Sequence, residues 1–217
     1  MRGLIEKDLR LTFSRKQTLL VFLIMALVMG LSMDGSFLIG YLVMLATVVA
    51  VGTLSYDEFD NGLPFLMTLP FERKTYVMEK YLFSLMLAAA AWCVGTVLYC
   101  AGNVVRPGTG SLPDELPMLL ALLPTLYLSS AIMIPLQLKY GSEKSKIILF
   151  IIFGAIAVLV FAGGRVWGSA NNPLQSLART LEGFAPGMVL LALTAICALA
   201  ACVSCLLSIR IMEKKEF

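Results

Sequence analysis

The chain contains no histidine and very little charge. Of its 217 residues only 14% are Asp, Glu, Lys or Arg, while 59% are hydrophobic, and the mean hydropathy is +0.87. A soluble domain carries about 25% charged residues. A chain so poor in charge cannot face water all round, so its class is polytopic membrane protein. Without histidine it lacks the commonest general base and metal ligand. It has no G-x-x-x-x-G-K-[ST] and no G-x-G-x-x-G. Gly163-Gly164-Arg165 falls at the end of an apolar run and cannot serve as a phosphate loop. Cys202-Val-Ser-Cys205 has C-x-x-C spacing, but it lies inside an apolar run. There cysteine reads as a small packing residue, continuing a ridge through Thr194 and Ala198. Cys93, Cys100 and Cys197 read the same way, and the 12 methionines are ordinary membrane filling. The apolar runs also lack charge. An ionised residue at a span centre costs about 2.5–3.5 kcal/mol and is retained where ions or protons pass. An ion-coupled carrier is therefore disfavoured. A membrane-embedded enzyme is less favoured still, since no paired carboxylates or Ser/Lys dyad share one depth. The length leaves no room for a second, soluble catalytic domain, and no convincing cleavable signal peptide is present.

What the sequence does contain is a set of span-length apolar runs. A span needs about 20 residues, and six runs qualify: Thr18–Met33, Phe37–Ser55, Tyr81–Val104, Met118–Leu138, Ile147–Gly163 and Gly187–Ile209. The expected fold is all-α, a single transmembrane domain over 1–217 with six transmembrane helices. Gly40, Ala46, Ala50 and Gly52 are spaced for close helix contact. Pro124 and Pro135 sit within the fourth run and are expected to bend or open it, whether as a gate or as a packing bend. Arg106–Pro117 and Lys139–Lys146 read as loops.

Ahead of the first run, residues 2–16 show helical periodicity. Ile5, Leu9 and Phe13 share one face, with Leu4 and Thr12 beside them, and Lys7, Arg10 and Ser14 lie opposite. This predicts an amphipathic elbow helix in the interface plane. Between the fifth and sixth runs, 165–186 is a longer segment. Asn172-Pro173 reads as a helix start, and Leu174, Leu177, Ala178 and Leu181 form an apolar face for a short helix at the interface.

Fourteen of the 17 lysines and arginines fall on one side of this arrangement, leaving Arg106, Arg165 and Arg179 on the other. That asymmetry predicts both termini in the cytoplasm. The polar stretch 56–80 is then cytoplasmic. It reads YDEFDNGLPFLMTLPFERKTYVMEK and holds five of the 14 acidic residues: Asp57, Glu58, Asp60, Glu72 and Glu79. Asn61-Gly62 signals a turn. The piece Leu63–Leu69 is apolar, and a short flat helix there would present Phe65, Leu66 and Leu69 to a groove.

Taken together, Tyr56-Asp57-Glu58, Phe65-Leu66-x-x-Leu69-Pro70, Arg73 and Tyr76-Val77-x-x-Lys80-Tyr81-Leu82 resemble the permease subunits of bacterial ABC type-2 transporters. They are most similar to the branch related to phenol-soluble modulin and lantibiotic exporters. The start Gly3-Leu4-Ile5-x-Lys7-Asp8-Leu9 resembles that branch too. The resemblance covers the whole architecture and implies a dimer, homo- or heteromeric, of permease subunits, each with a separate cytoplasmic ATPase. It implies a coupling helix in 56–80, with Tyr56, Asp57, Glu58, Phe65, Leu66, Leu69, Arg73, Lys74 and Tyr76 at the ATPase, and an elbow helix carrying Ile5, Lys7, Leu9 and Phe13. Within that set Glu58, Arg73 and Lys74 are the polar contacts and Phe65, Leu66 and Leu69 the apolar anchors. ATP and Mg would belong to the partner. This chain is expected to hold no cofactor or metal, to catalyse nothing itself and to bind no nucleic acid. The implied role is export, across a bacterial cell membrane, of amphipathic peptides or other hydrophobic cargo, in contact with membrane lipid. The alternative is a non-transporting scaffold or sensor subunit with a cytoplasmic partner.

Overall fold

The computed structural model describes residues 2–14, 16–32, 35–59, 62–105, 112–166 and 186–215. Among them lie eight helices: α1 (Arg2–Ser14), α2 (Lys16–Ser32), α3 (Gly35–Glu58), α4 (Gly62–Leu66), α5 (Arg73–Val105), α6 (Leu112–Tyr140), α7 (Ser142–Val166) and α8 (Pro186–Lys214). No strand occurs among the described residues. The reason is elementary. An apolar segment in hydrocarbon must satisfy its own backbone N–H and C=O groups, and a helix does this within one segment. Among the described residues four stretches are long and apolar enough to cross a membrane: Phe37–Glu58, Arg73–Gly102, Leu116–Tyr140 and Gly187–Lys214. The first and fifth apolar runs of the sequence fall on α2 and α7. The expected interfacial helix within 165–186 lies almost wholly outside the described residues.

Three boundaries differ from the sequence expectation. Helix α5 begins at Arg73, two turns before the apolar run. Its 33 residues make a rod of about 50 Å, longer than the roughly 30 Å hydrocarbon core, so its first turns extend the span into the polar zone. The Arg106–Pro117 loop is shorter than expected, because α6 starts at Leu112. Pro113 sits in its first turn, where a missing N–H costs nothing. Lys139–Lys146 is no loop at all. Helices α6 and α7 meet at the single residue Gly141, whose φ is +82° and whose N–H donates to the Gln137 carbonyl at 2.8 Å. A left-handed residue ends a helix in one step, and glycine takes that conformation without strain.

Helix α3 is central, packed on α5 and α6, and α6 in turn carries α8. At one end Ile39, Val43, Ala88, Tyr99 and Leu119 form a buried cluster. At the other, Leu54, Leu63, Tyr76, Ile134, Leu138 and Met212 are core to a second, larger one. Of the small residues expected at contacts, Ala46 and Ala50 are buried, a Cβ on Gly40 would stand 3.8 Å from Leu122 Cδ2 and Gly52 has open space beside it. A close approach of α5 to α3 falls at Gly95, where a Cβ would stand 3.2 Å from Ile39 Cα. Along the ridge of small residues, Thr194 is half-buried and Ala198 and Cys202 are exposed. Trp92 Nε1 donates to the Leu119 carbonyl at 2.8 Å, and the Tyr81 hydroxyl lies 2.7 and 2.9 Å from Ser204 and Ser208. These side-chain bonds lock α5 to α6 and α8 where no hydrophobic force separates helix from lipid.

Candidate functional site

The stretch joining α3 to α5 is held by two polar anchors, one built on each end of the chain. The first uses α1. Asp8 is fully buried, and its carboxylate pairs with the Lys80 ammonium. Lys80 also reaches Asp57 Oδ2 at 2.7 Å and donates to the Thr53 hydroxyl at 3.2 Å. Asp57 accepts from Lys7 at 2.5 Å and from the Tyr76 hydroxyl at 2.9 Å. Lys7 lies 3.2 Å from the other Asp8 oxygen. The Lys80 ammonium stands 5.3 Å from the Tyr76 ring centroid. Two ammonium groups therefore face two carboxylates, sealed between α1, the end of α3 and the start of α5. Helical spacing explains the assembly: Tyr76 and Lys80 are i, i+4 on α5, as are Thr53 and Asp57 on α3. Burial alone would pull the Lys7 ammonium down. The hydrogen bond and charge of Asp57, with the charge of Asp8, outweigh it and hold Lys7 above its ordinary pKa.

The second anchor uses the C-terminal end. Arg73 Nη1 donates to the carbonyls of Met212, Glu213 and Lys215 at 3.1, 3.0 and 2.9 Å. Carbonyls at a helix end have no intrahelical partner, and a cation there answers both the orphan acceptors and the helix dipole. Lys74 lies 3.5 Å from Glu213, and Lys215 donates to the Leu138 carbonyl at 3.2 Å. Lys215 also stands 3.8 Å from Glu58, whose second oxygen accepts the Ser142 N–H at 2.7 Å, at the start of α7. Glu58 thereby supplies a negative charge at a helix N-terminus.

Between the anchors the chain makes α4 and a tight return. Gly62 is required here: a Cβ would sit 2.9 Å from the Asp57 carbonyl oxygen. Leu63 plugs the large core cluster, with Leu66, Met67 and Phe71 packed on it. Bonds from Met67 N to Leu63 O (3.1 Å) and Phe71 N to Leu69 O (2.8 Å) close the return. The opposite side is bare: Phe59 is 72% exposed, Phe65 69% and Leu69 43%. Buried Leu63 thus fixes a rigid base from which three apolar side chains project.

The residues singled out from the sequence divide accordingly. Phe65, Leu69 and Lys74 face outward, Leu66 and Tyr56 are half-buried, and Asp57 and Tyr76 are sealed inside. Glu58 and Arg73 serve α7 and α8. On α1 the face turned to the protein is Leu4, Asp8 and Thr12, one step round from the hydropathic stripe. Leu9 and Phe13 are exposed, Ile5 half-buried, and Lys7 turns inward to Asp57. The sequence singles out neither Thr53 nor Phe59, and it carries Asp8 and Lys80 only as motif residues without a role. The one available hint was Asp8, an acid beside Lys7 on the face that hydropathy leaves unassigned. Among the described residues no group of three His, Cys, Asp or Glu side chains gathers for a metal.

No curated protein and no solved structure is significantly similar to the chain. The family model described as ABC-2 family transporter protein matches residues 3–213. That match takes in the first anchor, the second apart from Lys215, and every helix between them, and the chain belongs to this family, as a multi-pass membrane permease component of an ABC transporter.

Proposed function

We propose that this chain is the transmembrane half of an ATP-driven exporter, with α4 and the return to Leu69 as its coupling segment. The observation that carries the reading is the trio Phe59, Phe65 and Leu69, exposed on a segment whose two stems are clamped by buried and capped ion pairs. A rigid apolar projection suits a groove on a cytoplasmic ATPase, because ordering the segment costs little once its stems are fixed. Lys74 and Glu72, both exposed, stand at the rim for polar contacts. Two permease subunits pair in the bacterial cell membrane, each energised by its own ATPase with ATP and Mg. Six spans are the reading of the six apolar runs, and the placement of lysine and arginine sets both termini in the cytoplasm. Helix α1 is the elbow, resting Leu9 and Phe13 in the lipid interface. The cargo is an amphipathic peptide or another hydrophobic molecule, as in the phenol-soluble modulin and lantibiotic branch.

Purification of the tagged chain from its native membranes tests this. A roughly stoichiometric P-loop ATPase is expected to accompany the parent and to be lost from a Phe65→Asp, Leu69→Asp version that still folds. Retention of the ATPase by that version, or its absence from the parent, overturns the coupling role and favours a scaffold or sensor subunit. Stimulation of ATP hydrolysis by cargo separates a transporter from a scaffold where the ATPase does bind.

A further inference from the structure

Glu79 lies on α5 beside the first anchor and belongs to none of its bonds. It is 0% exposed, and neither carboxylate oxygen has a hydrogen-bond partner among the described residues. It sits in the field of Lys7 and Asp8 on α1, Asp57 on α3, and Tyr76 and Lys80 on its own helix. A buried carboxylate without a donor is costly, and folded proteins rarely leave one without a reason.

The donors nearby are unequally free. Lys80 is saturated, since an ammonium has three N–H groups and Lys80 spends them on Asp8, Asp57 and Thr53. The Tyr76 hydroxyl is given to Asp57. Lys7 differs. Its side chain is 30% exposed, its ion-pair partners among the described residues are Asp57 and Asp8, and one N–H remains. Helix α1 itself touches both α3 and α5. The cluster thus holds one cation with donor capacity to spare and two acceptors short of a donor: Asp8 Oδ1, already 3.2 Å from Lys7, and Glu79, for which neither oxygen is supplied, on helices that already meet.

We propose that Glu79 is a second seat for Lys7, so that α1 rocks between an α3-seated state, with Lys7 on Asp57, and an α5-seated state, with Lys7 on Glu79. Lys80 keeps Asp8 in both states and acts as the pivot. The exchange breaks one buried charge-assisted contact and forms another, so the two states differ little in energy. The α5-seated state is then a minor population of about 0.1–10%. Asp57 ends the helix that enters the coupling segment and Glu79 lies on the helix that leaves it. The seat of α1 therefore decides which stem is braced, and Glu79 is a positioning residue for whatever the segment transmits.

A fluorine tag on Glu6→Cys, on the exposed side of α1, reports the seat. The five native cysteines are replaced, and the whole chain is studied in lipid nanodiscs. The parent is expected to show a minor fluorine state, by a second resonance or by relaxation dispersion. Asp57→Asn should raise it tenfold or more, and Glu79→Gln should abolish it in both backgrounds. Glu79→Gln keeps the side-chain shape and removes an unpaired charge, so its unfolding temperature should not fall. A minor state that survives Glu79→Gln overturns the proposal, as does an Asp57→Asn shift that persists without Glu79. Should Asp57→Asn not fold, relaxation dispersion of the parent against Glu79→Gln decides alone. No ATPase takes part, so failure of the co-purification above and failure here are distinguishable.

Discussion

Lys80 shows how one side chain can hold three helices. Its ammonium binds Asp8 of α1, Asp57 and Thr53 of α3, and its own stem lies on α5. Removing one member of a buried pair leaves an uncompensated charge, which costs about 3–5 kcal/mol. Lys80→Met should therefore destabilise the protein by about that amount, read as a lowered midpoint in thermal or denaturant unfolding in detergent. Lys7 offers a test by pH. Its pKa in the fold is raised above the unfolded value by Asp57 and Asp8, against the opposing pull of burial. The stabilisation it provides is then fully present below about 10.4, the unfolded lysine value, and is lost as pH rises through the higher folded value. The parent should lose more stability between pH 10 and 12 than Lys7→Met does, measured by the unfolding midpoint at each pH. Equal losses in the two proteins would remove Lys7 from the anchor's energetics.

At the scale of elements, Arg73 ties the start of α5 to the end of α8 through three carbonyls. A cation at a partly buried helix C-terminus contributes about 1–2 kcal/mol. Arg73→Ala should fray the last turn of α8, and limited digestion with carboxypeptidase should shorten that end faster than in the parent. Which elements could be read from the sequence follows from the same physics. The apolar runs were legible because lipid allows a lone segment only a helix. The early start of α5 was not, since Arg73, Lys74 and Lys80 resemble loop residues until their partners on α8 and α1 are known. Nor was the one-residue joint at Gly141, because six polar or charged residues among Lys139–Lys146 look like a loop while Lys139 and Lys144 merely decorate helix ends. In the candidate site the outward side chains Phe65 and Leu69 were legible as an apolar patch between charges. Asp8 and Lys80 were not: they are 72 residues apart, and no local pattern announces a contact across that distance.

At the scale of the molecule, helices α7 and α8 leave much apolar surface bare. Only 6% of the apolar window of α8 is buried, and Phe150 on α7 is 79% exposed. Such surface suits lipid or a second subunit, and the asymmetry of lysine and arginine predicts which way round it lies. Helix α8 has 29 residues, about 43 Å at 1.5 Å each, so its two ends emerge on opposite sides of a core about 30 Å thick. Gly187 at one end is exposed, and so is Glu143 beside the α6–α7 joint, close to the other end of α8, where Lys215 meets Leu138. In a cysteine-free background, Gly187→Cys should react with a membrane-impermeant maleimide on intact cells. Glu143→Cys should react only after the membrane is breached. The reverse pattern would place the coupling segment outside the cell, where no ATPase can reach it, and would overturn the orientation on which the exporter reading depends. The expected pattern would put both polar anchors, and the apolar trio they brace, on the side that holds ATP.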